Sequence, residues 1–129
     1  MYVFGGDDVN NASLNDLWEY ALDTRAWTHV LNTTESAPFP RSDPSLVPLG
    51  NRLVVFGGYN YAIESYEPAL HCFDLQRRRW SDFAVGGEHP HARTSQAAIP
   101  CGGGFLIFGW ANSSDEVFFN DTFLLRGWL

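Results

Sequence analysis

A chain of 129 residues with 45% hydrophobic and 16% aromatic side chains carries enough apolar material for a packed core, which excludes a disordered tail. Fifteen acidic residues against eight basic ones leave a formal charge of −7, so a polyphosphate would be repelled and nucleic acid is not an expected partner. No apolar run approaches the roughly 18 residues of a membrane span, so no membrane insertion is expected. Every basic residue is Arg. The two cysteines, Cys72 and Cys101, are too few for a disulfide scaffold, match no zinc spacing and read as buried free thiols. No signal peptide opens the chain, which begins inside a strand and reads as an excerpt.

The chain repeats itself. Tyr2-Val3-Phe4-Gly5-Gly6 returns 52 residues later as Val54-Val55-Phe56-Gly57-Gly58, and 52 residues after that as Leu106-Ile107-Phe108-Gly109-Trp110. The same offset carries Arg41-Ser42 onto Arg93-Thr94, and an offset of 53 carries Tyr20 onto Phe73 and Trp27-Thr28 onto Trp80-Ser81. A unit of about 50 residues holds four strands of about 5–6 residues with their connections, the content of one propeller blade. Leu53–Phe56 is a short apolar run closed by two glycines, the pattern of a buried strand ending where the backbone must turn or approach a neighbour.

A hydrophobic run ending in Gly-Gly, a variable loop, an aromatic, and a Trp seven residues further on resembles the Kelch repeat. Gly5-Gly6, Tyr20 and Trp27 carry it once, and Gly57-Gly58, Phe73 and Trp80 again; Asn15-Asp16-Leu17-Trp18 looks like the family's entry into a third strand. The resemblance implies an all-β fold, a Kelch-type β-propeller fragment of four-stranded antiparallel blades with strands A to D running outward from a central channel. By that analogy blade 1 (residues 1–40) lacks A and has B at Met1–Phe4, C at Leu17–Leu22 and D at Ala26–Val30. Blade 2 (41–92) has A near Ser45–Pro48, B at Arg52–Phe56, C at Ala69–Asp74 and D at Arg79–Phe83. Blade 3 (93–129) has A at Thr94–Ile99, B at Phe105–Phe108 and C at Thr122–Leu125, making two and a half blades in all. Trp110 in place of the second Gly, Ala21 where the family often has Asp, and the missing Trp beyond Leu125 set blade 3 and the end of strand C in blade 1 apart from the pattern. Tyr20, Trp27, Phe73 and Trp80 are expected between blades. Family rings have about five to seven blades, so the remaining blades are expected from missing sequence or other chains.

In such a ring the B–C loops (Gly6–Asn15, Tyr59–Pro68, Trp110–Asn120) and D–A loops (Leu31–Pro40, Ala84–Ala92) share one rim, which the resemblance implies is the partner-binding rim. Tyr59, Asn60 and Tyr61 give contact area and adaptable hydrogen bonding, or else pack on their own blade. Trp110 stands on the same rim. Arg41-Ser42 and Arg93-Thr94 fall where the resemblance places contacts to acidic peptide motifs. Two forked donors suit a carboxylate; the alternative is that each Arg pairs with a loop Asp such as Asp43 and holds the ring together.

Glu88-His89-Pro90-His91 reads as a solvated turn rather than a metal site, His71 as a strand-face residue, and Arg77-Arg78-Arg79 as an exposed C–D hairpin. Asn-x-Ser/Thr sequons at Asn11, Asn32, Asn112 and Asn120 leave a secreted or lumenal location open beside the preferred cytoplasmic one.

A protein-interaction module binding a protein partner is the expected function, with no catalytic residues, metal or cofactor. A structural subunit of a large assembly is the alternative. A propeller enzyme is the less favoured one: the iron-specifier pattern beginning at Glu19 and Asp23 meets Trp at 27, and no Cys and Tyr with two His ligands matches a galactose-oxidase-like copper site.

Overall fold

Short β-branched and aromatic runs separated by turn residues dictate strands, and the computed structural model, which describes residues 1–30, 36–113 and 116–126, contains no helix among them. In chain order the strands are β1 (Tyr2–Asp7), β2 (Ser13–Ala21), β3 (Ala26–Val30), β4 (Ser45–Leu49), β5 (Arg52–Phe56), β6 (Tyr59–Asn60), β7 (Ser65–Tyr66), β8 (His71–Asp74), β9 (Arg79–Asp82), β10 (Ala97–Cys101), β11 (Gly104–Asn112) and β12 (Val117–Leu125). All pairing is antiparallel, in sheets ordered β1-β2-β3, β4-β5-β8-β9 and β10-β11-β12, with β6-β7 as a small separate ribbon. These sheets are the BCD, ABCD and ABC portions of three successive blades.

The ten predicted strands are present, with shifted ends. Strand pairing in blades 1 and 3 runs on past the Phe-Gly corner, so the expected loop of blade 1 shrinks to a turn around residues 8–12, and in blade 3 the strands reach Asn112 and resume at Val117. The glycines do not end the strands there. Gly5 (φ 66°) and Gly109 (φ 64°) sit in the left-handed region and shift the register between Phe4 and Gly6 and between Phe108 and Trp110, after which pairing resumes. In blade 2 the ladder does break at Gly57-Gly58, and β6-β7 forms beyond it.

Each blade hides its two faces in its neighbours. Between blades 1 and 2, Phe4, Leu17 and Val30 pack on Leu53, Val55, Phe73 and Trp80. The Trp80 ring meets Phe4 edge-on at 5.3 Å and Phe73 at 5.1 Å. Between blades 2 and 3, Val54, Phe56, Leu70, Cys72 and Phe83 pack on Phe105, Ile107 and Leu125. Alternation along β5 and β8 sends consecutive side chains to opposite faces, which is why Leu53-Val54-Val55-Phe56 is apolar throughout.

Tyr20 and Trp27 behave differently from their repeat partners. Their rings meet at a tilt with centres 4.9 Å apart, and Trp27 is 50% exposed. Met1, Val3 and Trp18 lie on the same outward face of β1-β2-β3. Position by position, this is the face that blade 2 turns onto blade 1. Ile99, Phe108 and Leu124 form the matching exposed face of blade 3. Cys101 is exposed where β10 meets the A–B turn, not buried as expected; Cys72 is buried, and burial pushes its thiol up.

Gly57 marks the tightest inter-blade approach. A Cβ there would lie 2.6 Å from the carbonyl oxygen of Arg93 and 2.7 Å from the Gln96 side chain, on a backbone with φ 69°. Gly57→Ala is expected to cost about 2–4 kcal/mol, from left-handed strain plus the clash with a fixed backbone. Urea unfolding checks this: an unchanged midpoint would mean that blades 2 and 3 are not apposed in this way.

Candidate functional site

The antiparallel order puts B–C and D–A connections at one end of every blade and A–B and C–D turns at the other. Backbone hydrogen bonds then tie the corners together. Gly6 N–H donates to Arg41 O and Gly58 N–H to Arg93 O, both at 2.9 Å, so each Gly-Gly corner holds the start of strand A in the next blade. Ser42 and Tyr59 exchange two backbone bonds of 2.8 and 3.0 Å.

Behind these corners sit the two predicted Arg residues, and both point inward. Arg93 is fully buried: Nε donates to His91 O (3.0 Å), Nη1 to Gly109 O (3.1 Å), and Nη1 and Nη2 grip Asp121 at 2.5 and 3.0 Å. Its guanidinium carbon lies 4.0 Å from the Phe119 ring centre. Arg41, 1% exposed, repeats the backbone half of this scheme, with Nε to Phe39 O (2.9 Å) and Nη1 to Gly57 O (3.2 Å). The carboxylate half is weak there. Blade 2 has Pro68-Ala69 where blades 1 and 3 have Asn15-Asp16 and Asn120-Asp121, so Arg41 has only Glu67 at 4.0 Å and Nη2 makes no hydrogen bond. Burial accordingly lowers the Arg41 pKa to about 10, with Glu67 opposing.

Asp43 is the partner of neither guanidinium: Arg93 takes Asp121 and two loop carbonyls, and Arg41 takes two carbonyls with Glu67 at 4.0 Å. Both guanidiniums are buried. Asn60 is also turned inward: it is buried, and its Oδ1 accepts the N–H groups of Ala62 (2.9 Å) and Ile63 (3.3 Å), shaping the β6–β7 turn. Ser42 is buried, its hydroxyl donating to Asp7 and lying 3.1 Å from the Ser13 hydroxyl. Thr94, half-buried, donates to Asp43 O (3.4 Å).

Tyr59, Tyr61 and Trp110 do face the rim. Tyr61 is 56% and Trp110 59% exposed, with Trp110 holding the left-handed φ (67°) of the glycine it replaces. Tyr59 packs edge-on against Tyr61 (4.9 Å) and against Tyr66 (4.8 Å). Burial, then the Glu64 carboxylate, holds the Tyr59 phenol above its usual value.

Tyr66 was not singled out by sequence. Its hydroxyl meets Ser113 Oγ at 2.5 Å and accepts Ser113 N–H at 2.9 Å, joining the hairpins of blades 2 and 3. The three tyrosines, with Ser42, Asp43 and Thr94, line a cavity of about 270 Å³. A wider groove of about 690 Å³ runs beside it, between Pro68, Pro90, His91 and Phe119. His89 and His91 are exposed in that loop, as expected for a solvated turn, and His91 stacks on Phe119.

Elsewhere, Arg77–Arg79 form the expected exposed hairpin, anchored by Asp74. His71 lies on β8, and burial followed by the Arg41 charge lowers its pKa. Asn11 and Asn120 are exposed, whereas Asn112 is buried and donates to Ala92 O (3.3 Å); Asn32 lies outside the described residues. Among the described residues no three His, Cys, Asp or Glu side chains are grouped to hold a metal.

With this geometry in view, comparison with known proteins is decisive: residues 1–126 match the KLHDC2/KLHL20/DRC7 Kelch-repeats domain. The chain belongs to the Kelch-repeat family. It is similar to acyl-CoA-binding domain-containing protein 5 of Arabidopsis thaliana, 34% identical over 110 residues, which cover 84% of this chain and 16% of that protein. It is also similar to Kelch domain-containing protein 10 of Rattus norvegicus, 30% identical over 121 residues covering 84% of this chain and 29% of the relative. The leucine-zipper-like transcriptional regulator 1 homolog of Drosophila melanogaster is 32% identical over 103 residues, 76% of this chain and 10% of that one. The chain thus spans less than a third of the length of these relatives. No helix among the described residues is long and apolar enough to cross a membrane. As a Kelch-repeat domain, the chain is of a kind that generally works as a non-enzymatic interaction scaffold.

Removing the Arg93 side chain should be severe, because Asp121 and two loop carbonyls lose their donor. Arg93→Ala is expected to cost about 3–5 kcal/mol, and Arg93→Lys most of that because the fork is lost. The Asp121 carboxyl is held below the usual carboxylate value, first by its hydrogen bonds from Arg93. A folded value below the unfolded one stabilises the fold at neutral pH, and that contribution fades as pH drops below about 4 and through the folded value. Denaturation midpoints from pH 6 to 2.5 should fall, and Asp121→Asn should flatten the fall. Conversely, Ala69→Asp should give Arg41 its missing partner and add about 1–2 kcal/mol; a loss of stability would contradict the proposed equivalence of the corners.

Proposed function

We propose that this chain is a protein-interaction module that engages a partner protein through the rim of B–C and D–A loops. The carrying observation is that three neighbouring hairpins are cross-linked by hydrogen bonds from Tyr61 N–H to Ser13 Oγ, from the Ser42 hydroxyl to Asp7, and between the Tyr66 and Ser113 hydroxyls, yet keep large apolar side chains in water. Tyr61, Ile63, Trp110 and Phe118 are between 56% and 81% exposed on this fixed backbone. Rigid exposed aromatics lose little entropy on contact, which is the make-up of a binding hot spot. The acidic-peptide preference implied by the resemblance is not carried forward, since the Arg41 and Arg93 guanidiniums are committed inside.

A second reading, a structural subunit, draws support from the exposed faces of blades 1 and 3, each the positional equivalent of a face that is buried elsewhere in the chain. On this reading further blades, from additional sequence or from other chains, cover both faces. The 129 residues alone should then bind an apolar dye and self-associate in sedimentation; a compact, cooperatively melting monomer would sink it.

The rim is tested by placing a photo-activated phenylalanine analogue at position 61, 63 or 118, and at 78 on the opposite rim, in cells producing the protein. Discrete protein adducts are expected from the first three positions only, and Trp110→Ala should deplete them by about tenfold. Adducts from position 78 alone would place the working surface at the other end.

A further inference from the structure

The two rims carry opposite charge. Asp7, Asp43, Glu64, Glu88 and Glu116 are exposed on the loop rim, where the two Arg residues are buried. The exposed guanidiniums gather at the other end: Arg25 and Arg77–Arg79 in the C–D turns, and Arg126 beyond β12 at the A–B end. The −7 net charge is thus concentrated where the partner is proposed to sit.

The tyrosine-lined cavity lies within this negative rim. Its wall offers the faces and edges of three packed rings, and one carboxylate, Asp43. Two of its hydroxyls spend their protons inward, Ser42 on Asp7 and Thr94 on Asp43 O, and so present lone pairs to the cavity. No Arg or His lines it. At about 270 Å³ it falls just below the roughly 300 Å³ of a drug-sized site and suits a single inserted side chain. Aromatic faces, a carboxylate and acceptor oxygens together match a group that is cationic and only donates.

We propose that this cavity seats an arginine side chain from a basic segment of the partner protein, resting on the reading that the loop rim is the contact surface. Arginine fits better than lysine because its planar guanidinium can lie against a tyrosine ring while its N–H groups reach Asp43 and the Thr94 oxygen. The neighbouring histidines, His89 and His91, line the adjoining groove and stay outside this cavity.

The test uses the intact protein and three fluorescein-labelled nonapeptides of one Gly-Ser framework, bearing three Arg, three citrullines or three Glu. Fluorescence anisotropy should show binding of the Arg peptide, at least tenfold weaker binding of the citrulline peptide, and none of the Glu peptide. Tyr61→Ala and Asp43→Asn should each weaken the Arg peptide by about five- to tenfold, while Tyr61→Phe, which keeps the ring, should retain most of the affinity. Thermal melts confirm that these exposed-site variants are folded. Equal or tighter binding of the Glu peptide overturns the proposal, as does an Arg peptide indifferent to both Tyr61→Ala and Asp43→Asn, which would be diffuse attraction to an acidic surface. Silence of all three peptides while the rim positions still form adducts defeats the arginine assignment alone; adducts only at position 78 defeat the rim reading itself.

Discussion

A guanidinium removed from water fixes the corner that blade 3 presents to blade 2. Stripping an Arg of its hydration is costly, and the cost is met only because every nitrogen of Arg93 finds an acceptor: one carbonyl in the preceding loop, one at the Phe-Gly bend, and both oxygens of Asp121. Segments up to 28 residues from Arg93 must therefore arrive together. The glycine of the preceding blade completes the corner, because only a residue without a Cβ lets the Arg93 carbonyl come within reach of the Gly58 N–H. These corners underlie the loop rim and fix its backbone by hydrogen bonds.

The same constraint explains why the spacing of the motif is so regular. Phe-Gly and Arg recur 52 residues apart because each corner joins the bend of one sheet to the first strand of the next, and a changed interval would misalign the hydrogen bonds. Blade 2 shows what happens when one member is lost. With Pro68-Ala69 at the carboxylate position, Arg41 keeps its two carbonyls but has a nitrogen without a hydrogen bond. The corner survives on backbone bonds and burial.

Most of the architecture was readable in the sequence because it repeats. Period and apolar alternation expose the repeat and its buried strands, and the resemblance to the Kelch repeat implies the blade and strand order and the place of Phe73 and Trp80 between blades. Strand ends were not legible at Phe4-Gly5 and Phe108-Gly109, since a glycine that stops a ladder and one that merely bulges it look alike in sequence. The site was half legible. Exposed Tyr61 and Trp110 were found from residue type, but Asn60 and Ser42 turned inward because small polar side chains satisfy nearby backbone as readily as they meet a partner. Tyr66, a member of the same Tyr- and Asn-rich loop, was not set apart as a site residue because its bond reaches Ser113, 47 residues away and in another blade. The direction of Arg41 and Arg93 hung on whether carbonyls would gather around them, which no local pattern reports.

Opposite charge on the two rims also makes the domain an electric dipole along the propeller axis. A charged surface or partner would exert a torque on it from about a Debye length away, close to 8 Å at physiological salt, before any atoms touch. A positively charged body would meet the loop end first and an anionic one the hairpin end. The stack of blades is therefore pre-oriented during diffusion, and collision geometry, as well as the strength of the final contact, is written into where its arginines lie.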